Sequence, residues 1–379
     1  MLATERHDLI LREVRARGLV RLAELADRLG VSPVTVRRDV ADLEDQGLVT
    51  RVHGGVAPPR GHARPQAADG AGAGTPDGTQ TAPRAGGSAA PGAGESLTLG
   101  MLVPSATYYY PEVIKGARVA AARLGARLVL GISRYEPAEE RAQVEQLLAG
   151  GVDGLLVTPC RALDAPEQNL TWLADLDVPA VLVERVAALG SGLEHLDHVA
   201  TDHAHGGYLA VRHLAALGHR DILFVARRDS PTTPRVRAGY QSGLRSLGLL
   251  GGPPMIETLA FEHDPEAFGA SIDPAVATIL EGGATAVVVH NDQDALVLVQ
   301  KLRSSGLRLP GDVSVVAYDD EVAALADPPL TAVAPPKHAV GRAAVELLVA
   351  RVTEGEERPR HHLDLLPQLR LRESCGILG

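Results

Sequence analysis

The sequence predicts an α/β protein: two lobes, each a parallel sheet with helices on both faces, carried behind a small winged helix-turn-helix domain. Three observations predict it. From Leu97 onward, short apolar runs alternate with helical periodicity, and the alternation restarts near Val199. Apolar runs without polar interruption suit strands buried on both faces, which is what helix-covered parallel sheets need. Residues 58–96 are Pro, Gly, Ala, Thr and Ser with hardly a large apolar side chain, the composition of a disordered linker. Residues 31–56 carry the markers of a helix and wing that read DNA. The expected organisation is therefore 1–57 DNA-binding head, 58–96 linker, and 97–379 a two-lobed ligand-binding module.

In the head, Thr4 to Arg17 predicts a first helix with Leu9, Ile10 and Val14 inward. Leu22 to Leu29 predicts a second, with Gly30 and Val31 as the tight turn. Ser32 can cap the third helix, and Pro33 suits its first position, where a missing N–H has no partner anyway. Val36, Val40 and Leu43 follow at helical spacing and define a buried face. Val34, Arg38 and Ala41 point the opposite way, with Thr35 and Arg37 on the flanks. Donors near the start of such a helix can meet base edges and phosphates in the major groove. Gly47 ends the helix, and residues 48–55 form a short strand pair with a glycine tip, a wing. The candidate DNA contacts are Ser32, Pro33, Thr35, Arg37, Arg38, Arg51 and His53. The competing reading is an amphipathic helix with an ordinary solvated face; the complete helix-turn-helix around it weighs against that.

The string Ser32-x-x-Thr35-Val36-Arg37-Arg38-Asp39-Val40, continued by LEDQGLV at 43–49 and RVHGG at 51–55, resembles the signature of the DeoR family of bacterial regulators. The resemblance covers residues 5–57 and implies binding to a double-stranded DNA operator.

The net charge of −10 means that DNA affinity must come from a local basic surface. Residues 1–57 balance, with nine Arg against nine Asp and Glu. Within the third helix the signs separate: Arg37 and Arg38 come early, and Asp42, Glu44 and Asp45 late. Two cysteines, Cys160 and Cys375, suggest no disulfide framework and fit a reducing cytoplasm. The charged N-terminal segment lacks the apolar stretch of a signal peptide, and no apolar run of about 18 residues could span a bilayer. A cytoplasmic protein with no membrane partner is expected.

Gly70-x-Gly72-x-Gly74 in the linker lacks the strand before it and the helix after it that a dinucleotide site needs. Beyond the linker, the first lobe is predicted as strand 97–103, helix 111–124, strand 127–132, helix 137–149, strand 152–157, helix 166–175 and strand 179–183. The second half is predicted as strand 199–201, helix 203–217, strand 221–226, helices 234–247 and 264–281, strand 285–289, helix 292–305 and strand 313–317. Helix 337–352 and strand material over 363–371 close the chain.

The stretches HNDQDA at 290–295, GLRLPGDVSVVAYDD at 306–320 and PPLTAV at 328–333 look like the effector domain of the LacI/GalR family. So do VDGLLV at 152–157, VPAVLVER at 178–185 and HLAALGHRDI at 213–222. This resemblance runs over about residues 97–375. It implies the periplasmic-binding-protein type I fold with strands crossing between lobes, and a homodimer that binds a small ligand in the cleft.

Ligands in open α/β sheets sit beyond the carboxyl ends of strands. Tyr108, Tyr109 and Tyr110 follow the first strand and offer flat faces with a hydroxyl, suited to a sugar ring. Glu184 and Arg185 follow the fourth, Asn291 and Asp319 later ones, and Thr232 precedes a helix. By the resemblance Tyr109, Tyr110, Glu184, Thr232, Asn291 and Asp319 match family ligand positions. The family's ligand-touching arginine falls here on Val236, between Arg235 and Arg237. Either Arg237, the chosen candidate, or Arg235 substitutes with a shifted backbone, or the contact is lost. Each of these residues can also be read as an ordinary polar group at a loop end.

His195, His198, His203 and His205 lie near Glu194, Asp197 and Asp202, but the spacing fits no zinc pattern well. A solvated loop where the chain passes between lobes is the preferred reading, so no metal and no cofactor is expected. The functional expectation is a ligand-responsive transcriptional regulator, a repressor of carbohydrate uptake or catabolism genes. An enzyme is disfavoured by the lack of a GxSxG, P-loop or HExxH motif. A solute receptor of the same fold is disfavoured by the DNA-binding head.

Overall fold

The computed structural model describes residues 96–160, 170–260 and 264–378. In the head it describes residues 6, 7, 9, 10, 13, 14, 20, 21, 25, 26, 28, 31, 35, 36, 39, 40, 43, 49–52 and 55–57. The described residues divide between two compact units, on either side of Gly86–Gly87. The linker stretch 58–95 and the candidate DNA contacts Ser32, Pro33, Arg37, Arg38 and His53 lie outside the described residues.

In the head, Ile10, Val14, Val20, Leu25, Ala26, Val36, Val40, Leu43, Val49 and Val56 form one apolar core. The Val36/Val40/Leu43 face is buried as its spacing predicts. Leu9 is not: it is 38% exposed. Ile10 and Val14, one turn apart, set the buried face, and Leu9 lies 100° away from Ile10 on the helix. Strands β1 (Val20–Arg21), β2 (Thr50–Val52) and β3 (Gly55–Ala57) pair antiparallel in the order β1-β3-β2. The predicted wing pair is therefore joined by a strand that precedes the second helix. Asp39, on the buried side of the third helix, accepts from Arg6 at 2.7 and 2.9 Å, and ties that helix to the first.

The first lobe is built on β4 (Thr98–Val103), β5 (Arg127–Ile132), β6 (Gly154–Val157), β7 (Ala180–Val183), β8 (Asp197–Thr201) and, late in the chain, β14 (His362–Leu365). They run parallel in the order β14-β8-β7-β6-β4-β5. The second lobe uses β9 (Ile222–Arg227), β10 (Ile256–Thr258), β11 (Ala286–His290), β12 (Ser314–Tyr318), β13 (Thr331–Ala334) and β15 (Gln368–Arg370), in the order β10-β9-β11-β12-β13-β15. Only β15 in it runs antiparallel, against β13. The chain thus passes between lobes three times, after β8, after β13 and after β14. The predicted strand material 363–371 is split between the two sheets. Pro367, with no N–H to give a ladder, falls at the break.

The helices are α1 (Tyr110–Arg123), α2 (Pro137–Ala149), α3 (His203–Ala216), α4 (Thr233–Ser246), α5 (Pro265–Leu280), α6 (Asp292–Ser304) and α7 (Lys337–Glu354). Strand alternation decides which face each side chain takes. Leu99, Met101 and Val103 pack with residues of α1 and α7, and Leu102 with Val144 and Leu147 of α2. Likewise Phe224 packs on the α3/α4 side and Leu223 and Val225 on the α5/α6 side. Helices α1 and α7 touch through Gly116 and Gly341: a Cβ at either would stand 2.0 Å from His338 O or 1.9 Å from Val113 O. Over the predicted helix 166–175, residues 161–169 are outside the described set, and the described part is a single 3-10 turn, Thr171–Leu173. Asp175 and Asp177 would load the negative end of a helix there. Strands β10 and β13 had no predicted counterpart. Among the described residues, no helix is long and apolar enough to cross a membrane.

Candidate functional site

Strands of both sheets deliver their carboxyl ends to the space between the lobes. Glu184 stands directly after β7, Thr201 ends β8, His290 ends β11 and Asp319 follows β12. Tyr108, Glu184, Asp319 and Asp320 hold left-handed backbone, with φ of 57°, 55°, 97° and 58°. Such conformations are costly for these residue types, and here they collect around the cleft.

Tyr109 donates its hydroxyl to Glu184 Oε1 at 2.7 Å. The same carboxylate accepts from Thr201 N–H at 3.0 Å and Thr201 Oγ1 at 2.9 Å, and His203 Nε2 stands 3.5 Å from Oε2. Burial pushes the Glu184 carboxyl up, but His203, Thr201 and Tyr109 outweigh it and hold the group below the usual range. Both Glu184 oxygens are thus already engaged. Tyr110 lies inward, 5% exposed in the first lobe's core, its ring edge-on to Tyr109 at 5.4 Å. Arg185 is buried and donates to Pro159 O and Glu184 O, each at 2.8 Å.

From the second lobe, Asn291 caps α6, its Oδ1 accepting from Asp294 N–H at 3.2 Å. Thr232 Oγ1 lies 2.9 Å from His290 Nε2. Burial, with His203 and Arg227 nearby, pulls His290 down to about 3, so its ring is neutral. Asp319 is pushed up to about 6 by burial, opposed by Lys337 and reinforced by Asp292. Lys337, from the start of α7, donates to Asp319 O and Glu321 Oε1 and stands 4.9 Å from the Tyr109 ring centroid.

A pocket of about 60 Å³ opens between the lobes, and its walls include Glu184, Arg185, Thr201, His203, Thr232 and Arg235. Of the two arginines left open by the sequence, Arg235 is on this wall. Arg237, half-buried, is not among the lining residues, and Val236 is fully buried in the second lobe's core. Tyr109 and Asp319 lie in the adjoining network around Glu184 and Lys337, and Asn291 stays tied to Asp294 at the start of α6. In the head, Thr35 is partly exposed on the third helix, and Arg51 lies in β2.

The histidines overturn one expectation. His198 and His203 are 2% and 3% exposed, not on a solvated loop. His203 Nδ1 lies 3.0 Å from Tyr318 OH, and His198 stacks on His362 with ring centroids 4.2 Å apart. The chain crosses at Asp202, which caps α3 by accepting from His205 N–H at 2.8 Å. Among the described residues no group of His, Cys, Asp and Glu is placed to hold a metal ion. Thr201, His290, Asp292 and Lys337 are site residues the sequence did not single out, while Tyr108 was seen only as part of the tyrosine run and His203 only as part of a loop. The position of Lys337 after a Pro-Pro pair, as one of only three lysines, was the available signal for it.

This fold and cleft define a ligand-binding module of two α/β lobes behind a DNA-binding head. Residues 211–375 match the periplasmic binding protein-like domain family, and residues 6–60 match the DeoR-like helix-turn-helix domain family. The HTH-type transcriptional repressor PurR of Aliivibrio salmonicida is 31% identical over 285 residues, covering 74% of this chain and 82% of that protein. The lac repressor dimer bound to operator and the anti-inducer ONPF superposes with a TM-score of 0.63 at 26% identity, over 75% of this chain and 96% of that one. A LacI family transcriptional regulator from Enterococcus faecium with bound ribose superposes with a TM-score of 0.59 at 25% identity, over 74% and 100%. The chain belongs to the LacI family of transcriptional regulators and carries a DeoR-like head. Its relatives are transcriptional repressors, which are not enzymes.

Proposed function

We propose that the protein is a cytoplasmic, homodimeric repressor of carbohydrate uptake or catabolism genes, without enzymatic activity, governed by a sugar-like effector in the cleft. The observation that carries this reading is the convergence of aromatic, amide and carboxylate groups from both lobes at the strand ends, behind a DeoR-like head. Tyr109 supplies a ring face, Asn291 an amide, and Asp319 a carboxylate for paired hydroxyls. Tyr110 and Glu184 brace Tyr109, Thr232 and Arg185 line the walls, and Arg237 follows Arg235 in α4. The head comprises residues 1–57, a linker 58–96, and the effector module 97–379. Ser32, Pro33, Thr35, Arg37, Arg38, Arg51 and His53 hold the operator. Ligand-bound structures of relatives carry ribose and, in a CelR complex, cellobiose, which favours a carbohydrate.

The test is thermal unfolding of the full chain against a panel of sugars and sugar derivatives, followed by gel-shift titration of operator DNA with any stabilising compound. A ligand at 100 times its Kd adds about 2.7 kcal/mol. The expected result is a saturable gain that changes operator affinity. A panel with no saturable gain, or a stabilising sugar without effect on DNA binding, would overturn the reading.

A further inference from the structure

We propose that the effector is an acidic carbohydrate derivative whose anionic group is held by Arg235 and Arg185 on facing walls of the cleft. This rests on the cleft being the effector site. Arg185 comes from the end of β7 in the first lobe and Arg235 from the first turn of α4 in the second, and both line the interlobe pocket. The two guanidiniums stand on one pocket of a chain whose net charge is −10.

Neither guanidinium is closed by an ion pair among the described residues, although Arg185 also bonds Tyr110 and feels the Glu184 carboxylate. Arg185 is 6% exposed, yet among the described residues it has no carboxylate at ion-pair distance. Two of its five donors go to the carbonyls of Pro159 and Glu184. Arg235 is exposed, and its side chain makes no hydrogen bond or ion pair among the described residues. Glu184 is the one carboxylate among the lining residues, and Tyr109, Thr201 and His203 already occupy its oxygens. His203 Nε2, buried on the same wall, faces Glu184 Oε2 at 3.5 Å. A neutral sugar would leave a buried cation and its donors partly unmet, whereas a carboxylate or phosphate would satisfy both guanidiniums through charge-assisted bonds.

The start of α4 cannot do this work with its main chain. Thr232 N–H goes to Ser230 Oγ, Thr233 N–H to Ser230 O and Arg235 N–H to Thr232 O, and Pro234 has no N–H. Recognition therefore falls to the side chains.

The experiment is calorimetric and thermal-shift titration of the full chain with inorganic phosphate, D-gluconate and D-glucose 6-phosphate, beside neutral D-glucose and D-ribose, at low and high salt. Variants are Arg235→Gln, Arg235→Lys and, as a charge control, Arg228→Gln, an exposed arginine held by Glu257 at 2.9 Å. The expected result is saturable binding of phosphate and of at least one acidic sugar, weakened by salt. Arg235→Gln should lower the affinity about tenfold or more, with partial recovery in Arg235→Lys and none lost in Arg228→Gln. Gluconate against glucose 6-phosphate separates a carboxylate from a phosphate ligand. Saturable binding of a neutral sugar with no response to the anions would overturn the anionic assignment and leave the effector cleft standing. Anion binding untouched by Arg235→Gln would overturn it as well. Failure of every compound would count against the cleft reading together with this one.

Discussion

Tyr108, in the loop after the first lobe's β4, donates its hydroxyl across the cleft to Asp292 Oδ1 at 2.5 Å and lies 3.2 Å from Asp319 Oδ2. The other Asp292 oxygen accepts from the N–H groups of Glu321, Val322 and Ala323 at 2.6, 2.6 and 3.0 Å. A side chain of one lobe is thereby pinned to a carboxylate that organises a loop of the other. Lys337 repeats the link from α7 to Asp319 and Glu321.

Tyr108→Phe should accordingly destabilise the effector module and loosen the two lobes. It removes one charge-assisted bond and leaves a buried carboxylate oxygen short of a donor, a loss of about 1–3 kcal/mol. Urea unfolding should show a lower midpoint, and small-angle scattering a larger radius without ligand. An unchanged midpoint with an unchanged radius would mean the lobes are not held by this bond.

Gly341→Ala should destabilise more than its size suggests. A Cβ there would stand 1.9 Å from Val113 O, so α1 and α7 must part. Overpacking typically costs about 1–3 kcal/mol. The same change at Gly125, where nothing lies within 4 Å but φ is +69°, should cost less, about 1 kcal/mol, from backbone strain alone. Equal unfolding midpoints for the two variants would contradict the close helix contact.

In the head, Arg38→Ala should lower operator affinity by about 1–3 kcal/mol, the worth of one good base contact, without unfolding the domain. Val36, Val40 and Leu43 are buried, and helical spacing in the sequence predicts position 38 away from that face. Gel shift reads affinity, and circular dichroism checks the fold. Wild-type affinity in this variant would remove Arg38 from the reading surface.

What the sequence made legible was periodic. Doubly buried strands such as β6 and β11 announce themselves as apolar runs, and the Val36/Val40/Leu43 stripe as a helix face. Contacts between distant residues carry no such period. Arg6 and Asp39 are 33 positions apart, and nothing local marks either as the other's partner. The three-residue β10 is too short for an alternation to register. At the cleft, the tyrosine run after β4 was visible as a candidate, but its loop geometry decides which ring goes where: Tyr108 across the cleft, Tyr109 to Glu184, Tyr110 into the core. His203 looked like loop because its burial comes from Tyr318 and Glu184, which reach it from elsewhere in the chain.

Asp319 should make stability fall as pH rises through the weakly acidic range. Its carboxyl titrates near 3.8 when unfolded and is pushed up to about 6 in the folded protein, mainly by burial. Between those values the folded state binds more protons than the unfolded one, so the slope of unfolding free energy with pH is negative. The contribution is present in full below the unfolded value, declines as pH climbs, and is lost above the folded one; the span is up to about 3 kcal/mol. His198 and His290, depressed to about 4 and about 3, act in the opposite sense, losing stability as pH falls through the acid range. They are common to wild type and Asp319→Asn, so the difference between the two proteins isolates Asp319. Asn keeps an acceptor for Tyr108 but has no proton to lose. Relative to wild type, Asp319→Asn should therefore gain stability between about pH 4 and about pH 7, read as urea midpoints across that window. A difference that does not vary with pH would mean Asp319 titrates normally and is not held in the dry junction of the two lobes.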